Sequence, residues 1–142
     1  MVKSVLAIML TKTFSDSHAL VVITALSVLL GHIFPVFSGF RGGKGVAPGW
    51  AGLFVISPIA GTVASILGLG TIALTKYVSL GSLIGALSGS ATLITLCLLG
   101  SAPNEYIWFG IIGTGITFIA HRENVARLAS NQERKFGDQA QT

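Results

Sequence analysis

Thirty consecutive residues, Val46–Thr75, carry no charged side chain. A helix rises about 1.5 Å per residue, so one straight helix of that length would overshoot a hydrocarbon core roughly 30 Å thick. Ser57-Pro58 lies near the middle, and the residue before a proline is pushed out of the helical region. The run is therefore expected to form two passes, about 46–57 and 59–75. Three more uncharged stretches follow the same logic: His18–Phe37, Leu80–Gly100 and Tyr106–Ala120. Pro103 in Ser101–Glu105 breaks the chain between the last two. Gly45, Gly49 and Gly52 recur at three- and four-residue steps, which suits close packing against a neighbouring helix.

Composition agrees. Of 142 residues 51% are hydrophobic and only 10% charged, and mean hydropathy is +0.79. Soluble domains carry about 25% charged residues. These values argue against a soluble enzyme, a disordered tail and a secreted disulfide scaffold. The lone Cys97 leaves no intrachain disulfide and no cysteine metal site. A net charge of +4 could point to nucleic acid. The basic residues, however, lie between apolar runs rather than on one soluble face, so no nucleic-acid partner is expected.

Charge placement orients the layout. If the loop 38–45 is cytoplasmic, the inner segments hold Arg41, Lys44, Lys76, Arg122, Arg127, Arg134 and Lys135. The outer turns after residue 18 then hold only Glu105, which is the positive-inside pattern. The expected class is all-α: a polytopic membrane bundle of about five spanning or half-spanning helices plus a partial N-terminal one. Val5–Leu10 is too short to span and reads as the end of a helix, with Lys3 inside and Lys12–Ser17 outside. A single domain covers 1–142, and from about Leu128 a polar tail is expected to be flexible.

Four segments carry chemistry. In the loop 38–45, glycines let backbone N–H groups approach an anion, Lys44 supplies a point charge, and a helix starting near Val46 adds its positive end. The loop is not a Walker A motif, since Gly45 follows the lysine where Ser or Thr would hold magnesium. The plain alternative is a glycine-rich hairpin whose cations merely obey the inside rule. His32 is an ionisable group at membrane depth, and Pro35 kinks or ends its helix. His121 and Asn124 are three apart and share a helix face, with Arg127 a further three on. A histidine there can act as acid, base or donor, and an asparagine can donate to an oxyanion. Equally, this segment reads as an amphipathic interfacial tail. Ser79 and Ser82 can cap a helix starting near Leu80 and leave N–H groups for an anion. What the segments share is their side: all map to cytoplasmic helix ends.

These residues, in this order, resemble the acyl-phosphate:glycerol-3-phosphate acyltransferase (PlsY) family of bacterial inner-membrane enzymes over about residues 18–136. Gly31-His32-x-Phe34-Pro35-x-Phe37-x-x-Phe40-x-Gly42-Gly43-Lys44-Gly45-Val46-Ala47 is similar to the family's second motif. Tyr77–Ser82 resembles the segment after it, and His121-Arg122-Glu123-Asn124-Val125-x-Arg127-Leu128 with Glu133 resembles the third motif. The resemblance implies a seven-helix fold without metal or organic cofactor. It implies acyl transfer from acyl phosphate to the 1-hydroxyl of glycerol 3-phosphate, giving lysophosphatidic acid and phosphate. Its implied catalytic residues are His121 and Asn124. Its implied substrate-binding residues are His32, Arg41, Gly42, Gly43, Lys44, Gly45, Ser79 and Ser82, with Pro35 and Glu133 structural. The family's first motif has no counterpart, so the resemblance implies a chain that begins inside the family's second helix. Pro48 and Gln132 each stand where the family usually has threonine. Two other functions remain open at this point: a catalytically inactive truncated homologue, and a small anion carrier. A carrier would normally place its polar groups near the midplane rather than at one surface.

Overall fold

The computed structural model describes residues 2–35 and 42–137, and every structural statement below refers to these. The loop positions expected to matter at 36–41, Arg41 among them, lie outside the described residues. The chain forms seven helices and no strand among the described residues: α1 Val2–Phe14, α2 His18–Ile33, α3 Val46–Ile56, α4 Pro58–Thr75, α5 Val78–Leu98, α6 Tyr106–Ala120 and α7 Arg122–Ala129. Local chemistry sets the boundaries. Ser57 accepts a hydrogen bond from the Ala60 N–H and Pro58 opens α4, where its missing N–H does no harm. Helix α2 stops at Ile33, four residues before the end of its uncharged run, because Phe34 precedes Pro35 and leaves the helical region.

The uncharged thirty-residue stretch thus becomes two helices of unequal reach. Helix α3, with 11 residues, is about 16 Å long and crosses only half a bilayer. Helices α4 and α5 are long and apolar enough to cross, whereas α2 and α6 are shorter apolar helices. Their outward faces stay apolar: Leu74 is 87% exposed and Ile119 66%. Water would not tolerate so much exposed apolar surface, and lipid does. Helix α7 is an eight-residue amphipathic segment outside the apolar bundle.

Side-chain bonds sort the termini into two ends. At one end Lys12 Nζ donates to the Val55 carbonyl at 2.9 Å, and Tyr106 Oη lies 3.3 Å from His18 Nδ1. At the other, Lys44 meets Asn124, and the Phe136 N–H donates to the Lys76 carbonyl at 2.7 Å. The cations at 44, 76, 122, 127, 134 and 135 all belong to this second end. The expected placement of Lys12 opposite them also holds.

The closest backbone approach is between α4 and α5, not along α3. Ala60, Ala64 and Gly68 face Gly81, Gly85 and Gly89 at steps of four. A methyl on Gly68 would lie 2.9 Å from the Gly81 carbonyl, and one on Gly85 3.0 Å from the Ala64 carbonyl. Gly45 and Gly52 do pack closely, but against the side chains of Leu29 and Phe109. The dense core lies toward the Lys12 end, built from Ile8, Val21, Leu53, Leu93, Tyr106 and neighbours. Cavities among the described residues open toward the Lys44 end. Gly68→Leu should therefore abolish a cooperative thermal transition in detergent. Gly70→Leu, which meets nothing within 4 Å, should keep its melting temperature within a few degrees of wild type. Equal tolerance of both would show that the α4–α5 contact is not sterically limited.

Candidate active site

Two backbone breaks aim the reactive side chains. Gly45 adopts φ 77°, a left-handed conformation that glycine takes without strain, and starts α3 directly after Lys44. Residue 121 ends α6 with φ −100° and ψ 8° and turns the chain into α7. Its imidazole is 2% exposed, and Asn124, one turn into α7, is 5% exposed. Residues 80 positions apart then meet: Lys44 Nζ donates to Asn124 Oδ1 at 2.6 Å.

The amide of Asn124 is oriented without ambiguity. An ammonium can only donate and an ionised carboxylate can only accept. Oδ1 therefore faces Lys44, and Nδ2 donates to Glu133 Oε1 at 2.6 Å. The same oxygen accepts from Ser79 Oγ at 2.6 Å, and Oε2 accepts from Arg127 Nε at 2.9 Å. Glu133 thereby joins the first turn of α5 to α7 and, through Asn124, to Lys44. Part of the stretch expected to be flexible, residues 130–137, lies against the bundle. Residues 130–137 are tied back by Glu133 and by the Phe136 N–H, and the Lys135 ammonium sits 5.6 Å from the Tyr77 ring centroid.

His121 Nδ1 lies 2.8 Å from the Thr117 carbonyl. A carbonyl only accepts, so Nδ1 carries the hydrogen and Nε2 is the nitrogen left for a ligand. Burial pushes this imidazole below its usual pKa, with the charge of Lys44 acting in the same direction. The Thr117 carbonyl and Glu133 oppose the shift without reversing it. At neutral pH Nε2 therefore presents a lone pair.

These groups surround a cavity of about 290 Å³ lined by Lys44, Val46, Ser79, Ser82, His121 and Asn124, among others. Val46 and Ser82 also border a narrow apolar slot of about 20 Å³ between Leu29, Trp50, Leu53 and Phe109. That space is about one water-sized group across. The Trp50 indole N–H is buried there without a partner.

Several sequence expectations change. Ser79 and Ser82 do not cap α5, which begins at Val78 with Tyr77 as its cap. Each hydroxyl proton is already committed, Ser79 to Glu133 and Ser82 to the Val78 carbonyl at 2.9 Å. Gly43 is not an open anion donor, because its N–H bonds the His32 carbonyl at 3.3 Å. Gly42 is packed so tightly on His32 and Ile33 carbonyls that no side chain would fit. His32, Pro35, Gly42 and Gly43 line a separate groove with Lys3 and Ser4, and His32 does not join the cavity of Lys44 and His121. The sequence does not single out Thr117 or Trp50, and it marks Arg134 only as one of the cations on the shared side, because that residue follows Glu133 in a non-helical stretch without periodicity.

Burial disfavours the Glu133 carboxylate, yet the hydrogen bonds from Ser79, Asn124 and Arg127 and the Arg127 charge hold its pKa down, from 4.5 to about 2. A carboxyl depressed in the folded state stabilises fully above its unfolded pKa and loses that contribution as pH falls toward the folded one. The network should stabilise the folded chain at neutral pH, a contribution lost as pH falls from about 5 toward 2. Thermal unfolding across pH should show wild type well above Glu133→Gln at pH 7 and converging with it near pH 2. Parallel curves over that range would refute the assignment.

Comparison with known proteins matches this picture. Residues 1–131 match the family model described as glycerol-3-phosphate acyltransferase. Glycerol-3-phosphate acyltransferase 3 of Dehalococcoides mccartyi (strain CBDB1) is 38% identical over 122 residues, covering 84% of this chain and 55% of that protein. Glycerol-3-phosphate acyltransferase of Thermoanaerobacter sp. (strain X514) is 34% identical over 139 residues, covering 98% and 68%. The crystal structure of PlsY (YgiH), an integral membrane glycerol 3-phosphate acyltransferase, in its glycerol 3-phosphate form superposes with a TM-score of 0.80 at 33% identity, covering 92% of this chain and 64% of that one. Its lysophosphatidic acid form gives 0.81 at 31% identity. The chain thus spans between about half and two thirds of the length of these relatives. A helical membrane bundle of this sequence and shape, with the lysine loop and the His121–Asn124 turn at one end, belongs to the glycerol-3-phosphate acyltransferase family.

Proposed function

We propose that this chain transfers a fatty acyl group from acyl phosphate to the 1-hydroxyl of glycerol 3-phosphate, releasing lysophosphatidic acid and phosphate. We place the reaction at the cytoplasmic face of a bacterial inner membrane. One observation carries the reading: Lys44 and the neutral His121 line one cavity, and that cavity adjoins an apolar slot. Both substrates bear phosphate and one also bears a hydrocarbon tail, so the site must join a cation to an apolar wall. The relatives' names and the glycerol 3-phosphate and lysophosphatidic acid bound by PlsY support the same reaction.

The chemistry asks little of the protein. An acyl phosphate is an activated anhydride, so the substrate hydroxyl can attack its carbonyl carbon without a protein nucleophile. A new ester C–O bond forms and the bond from carbonyl carbon to phosphate oxygen breaks. His121 Nε2 takes the hydroxyl proton, while its Nδ1–H to Thr117 fixes the tautomer. Lys44 binds phosphate and offsets the charge that builds as it departs. Asn124 and Glu133 act as positioning residues: Asn124 holds Lys44, and Glu133 holds Asn124. Aligned binding of this kind can supply roughly 7–11 kcal/mol of barrier reduction.

The direct test incubates membranes containing the chain with acyl phosphate and radiolabelled glycerol 3-phosphate, and follows lysophosphatidic acid. Lys44→Ala and His121→Ala should each lower turnover by about 10²–10⁴-fold. Their melting temperatures should stay close to wild type. Turnover should also fall on the acid side of neutrality as His121 becomes protonated. Undiminished product from Lys44→Ala, or no product from wild type, refutes the proposal.

A further inference from the structure

The groove beside His32 shares no lining residue with the reaction cavity or with the apolar slot. Its volume is about 680 Å³, inside the span of roughly 300–1,000 Å³ common to small-ligand sites. Lys3 and Ser4 reach it from the first turn of α1, and His32 from the last turn of α2. Gly31 and Gly43 add wall without side chains, which keeps the groove open. A methyl on Gly43 would stand 2.5 Å from His32 Nε2, so the imidazole rests against the loop that leads to Lys44.

The polar groups of this groove are uncommitted. Lys3, Ser4 and His32 make no side-chain hydrogen bond or ion pair with any described residue. Ser4 matters most, because it is only 5% exposed. Buried hydroxyls are as a rule hydrogen-bonded, so an unbonded one in a groove wall marks a place for a partner from outside the chain. Lys3 is exposed, and no carboxylate among the described residues lines the groove, so its charge is positive. An ammonium, a hydroxyl and an imidazole are together suited to a phosphate anion. The margin, by contrast, is apolar. Val2 in the groove wall, Leu6 one turn along α1 and Phe34 beside Pro35 are each more than half exposed. In an integral membrane bundle such side chains face hydrocarbon.

We infer that this groove binds the headgroup of an anionic membrane phospholipid. Its phosphate lies on Lys3, Ser4 Oγ and His32, and its acyl chains run along Val2, Leu6 and Phe34. Basic pockets between helices at the membrane surface suit such headgroups, because the cation meets its anion at the depth where the chains meet the apolar wall. A free phosphate would satisfy the three polar groups and gain nothing from that wall. The lipid is a resident and not a reactant, since the groove is separate from the Lys44–His121 cavity. Occupancy joins α1, α2 and the loop that carries Lys44, so the bound lipid stabilises the fold.

The test adds dioleoyl phosphatidylglycerol or dioleoyl phosphatidylcholine to the full chain in a nonionic detergent. The two share tails and differ in net charge. Native mass spectrometry reads the affinity, and a thermal melt reads the stabilisation. Wild type should hold the anionic lipid about tenfold tighter, the gain expected for one charge-assisted contact, and melt higher with it. Lys3→Gln should remove most of that preference, and Ser4→Ala should lower it severalfold. Arg122→Gln, which removes an exposed cation outside the groove at the same end, should keep it within twofold. Lys44→Ala should keep it as well. Glycerophosphoglycerol, the headgroup without chains, should bind at least tenfold more weakly than the lipid. A wild-type chain without the preference, or a Lys3→Gln chain that retains it, overturns the inference. So does an equal loss in Arg122→Gln, which would mean diffuse attraction to a basic surface. A loss in Lys44→Ala would place the lipid in the reaction cavity, and equal affinity for the chain-free headgroup would mean a soluble-anion site; either result also overturns it.

Discussion

One carboxylate holds the Lys44 end of the molecule together. Glu133 accepts hydrogen bonds from Ser79, Asn124 and Arg127, which belong to α5 and α7. Helix α7 has only eight residues and cannot be stable alone. Its position depends on what anchors it, and this anchor is charge-assisted and nearly removed from solvent, with the Glu133 side chain 8% exposed. The reach extends to Lys44 through the amide of Asn124. The carboxylate thus holds the amide that in turn holds the cation.

The bundle divides its labour along its axis. Small residues along the length of α4 and α5 let two backbones touch, and toward the Lys12 end large side chains from α1, α2 and α6 fill the remaining space. Toward the Lys44 end, the short α3, the loop before it and the break at His121 prevent such filling, and cavities remain. A half-length helix is poor at spanning but well suited to placing its own start, with the preceding lysine, inside the bundle. Rigid packing at one end supports an open polar chamber at the other. The buried, unpartnered indole N–H of Trp50 lies where the two regimes meet.

The residues that carry the family resemblance are not all that line the cavities. The lysine loop and the His121–Asn124 turn carry the family resemblance and meet in the fold. Arg134 and Gln132 carry none of it, yet they line a polar cavity of about 530 Å³ that adjoins the one at His121. Arg134, alone among the cations that line these two cavities, makes no bond to any described residue.

Much of this architecture is written in short-range rules. Uncharged runs, a proline at 58, a proline at 35 and the sidedness of the cations are enough to place the helices and say which ends share a face of the membrane. Each rule acts within one segment, through hydrogen-bond satisfaction in lipid or through proline sterics. Motif residues at 44, 121 and 124 were likewise visible as chemistry. Pairing across 80 positions was not. That Asn124 serves Lys44, that Ser79 serves Glu133, that His32 belongs to a different groove, and that Glu133 and Phe136 reach back to the bundle all depend on contacts between segments distant in sequence. No local pattern encodes such contacts. They arise when glycine-lined helices close on one another and leave each polar atom a small choice of partners, so only the assembled tertiary structure could decide them.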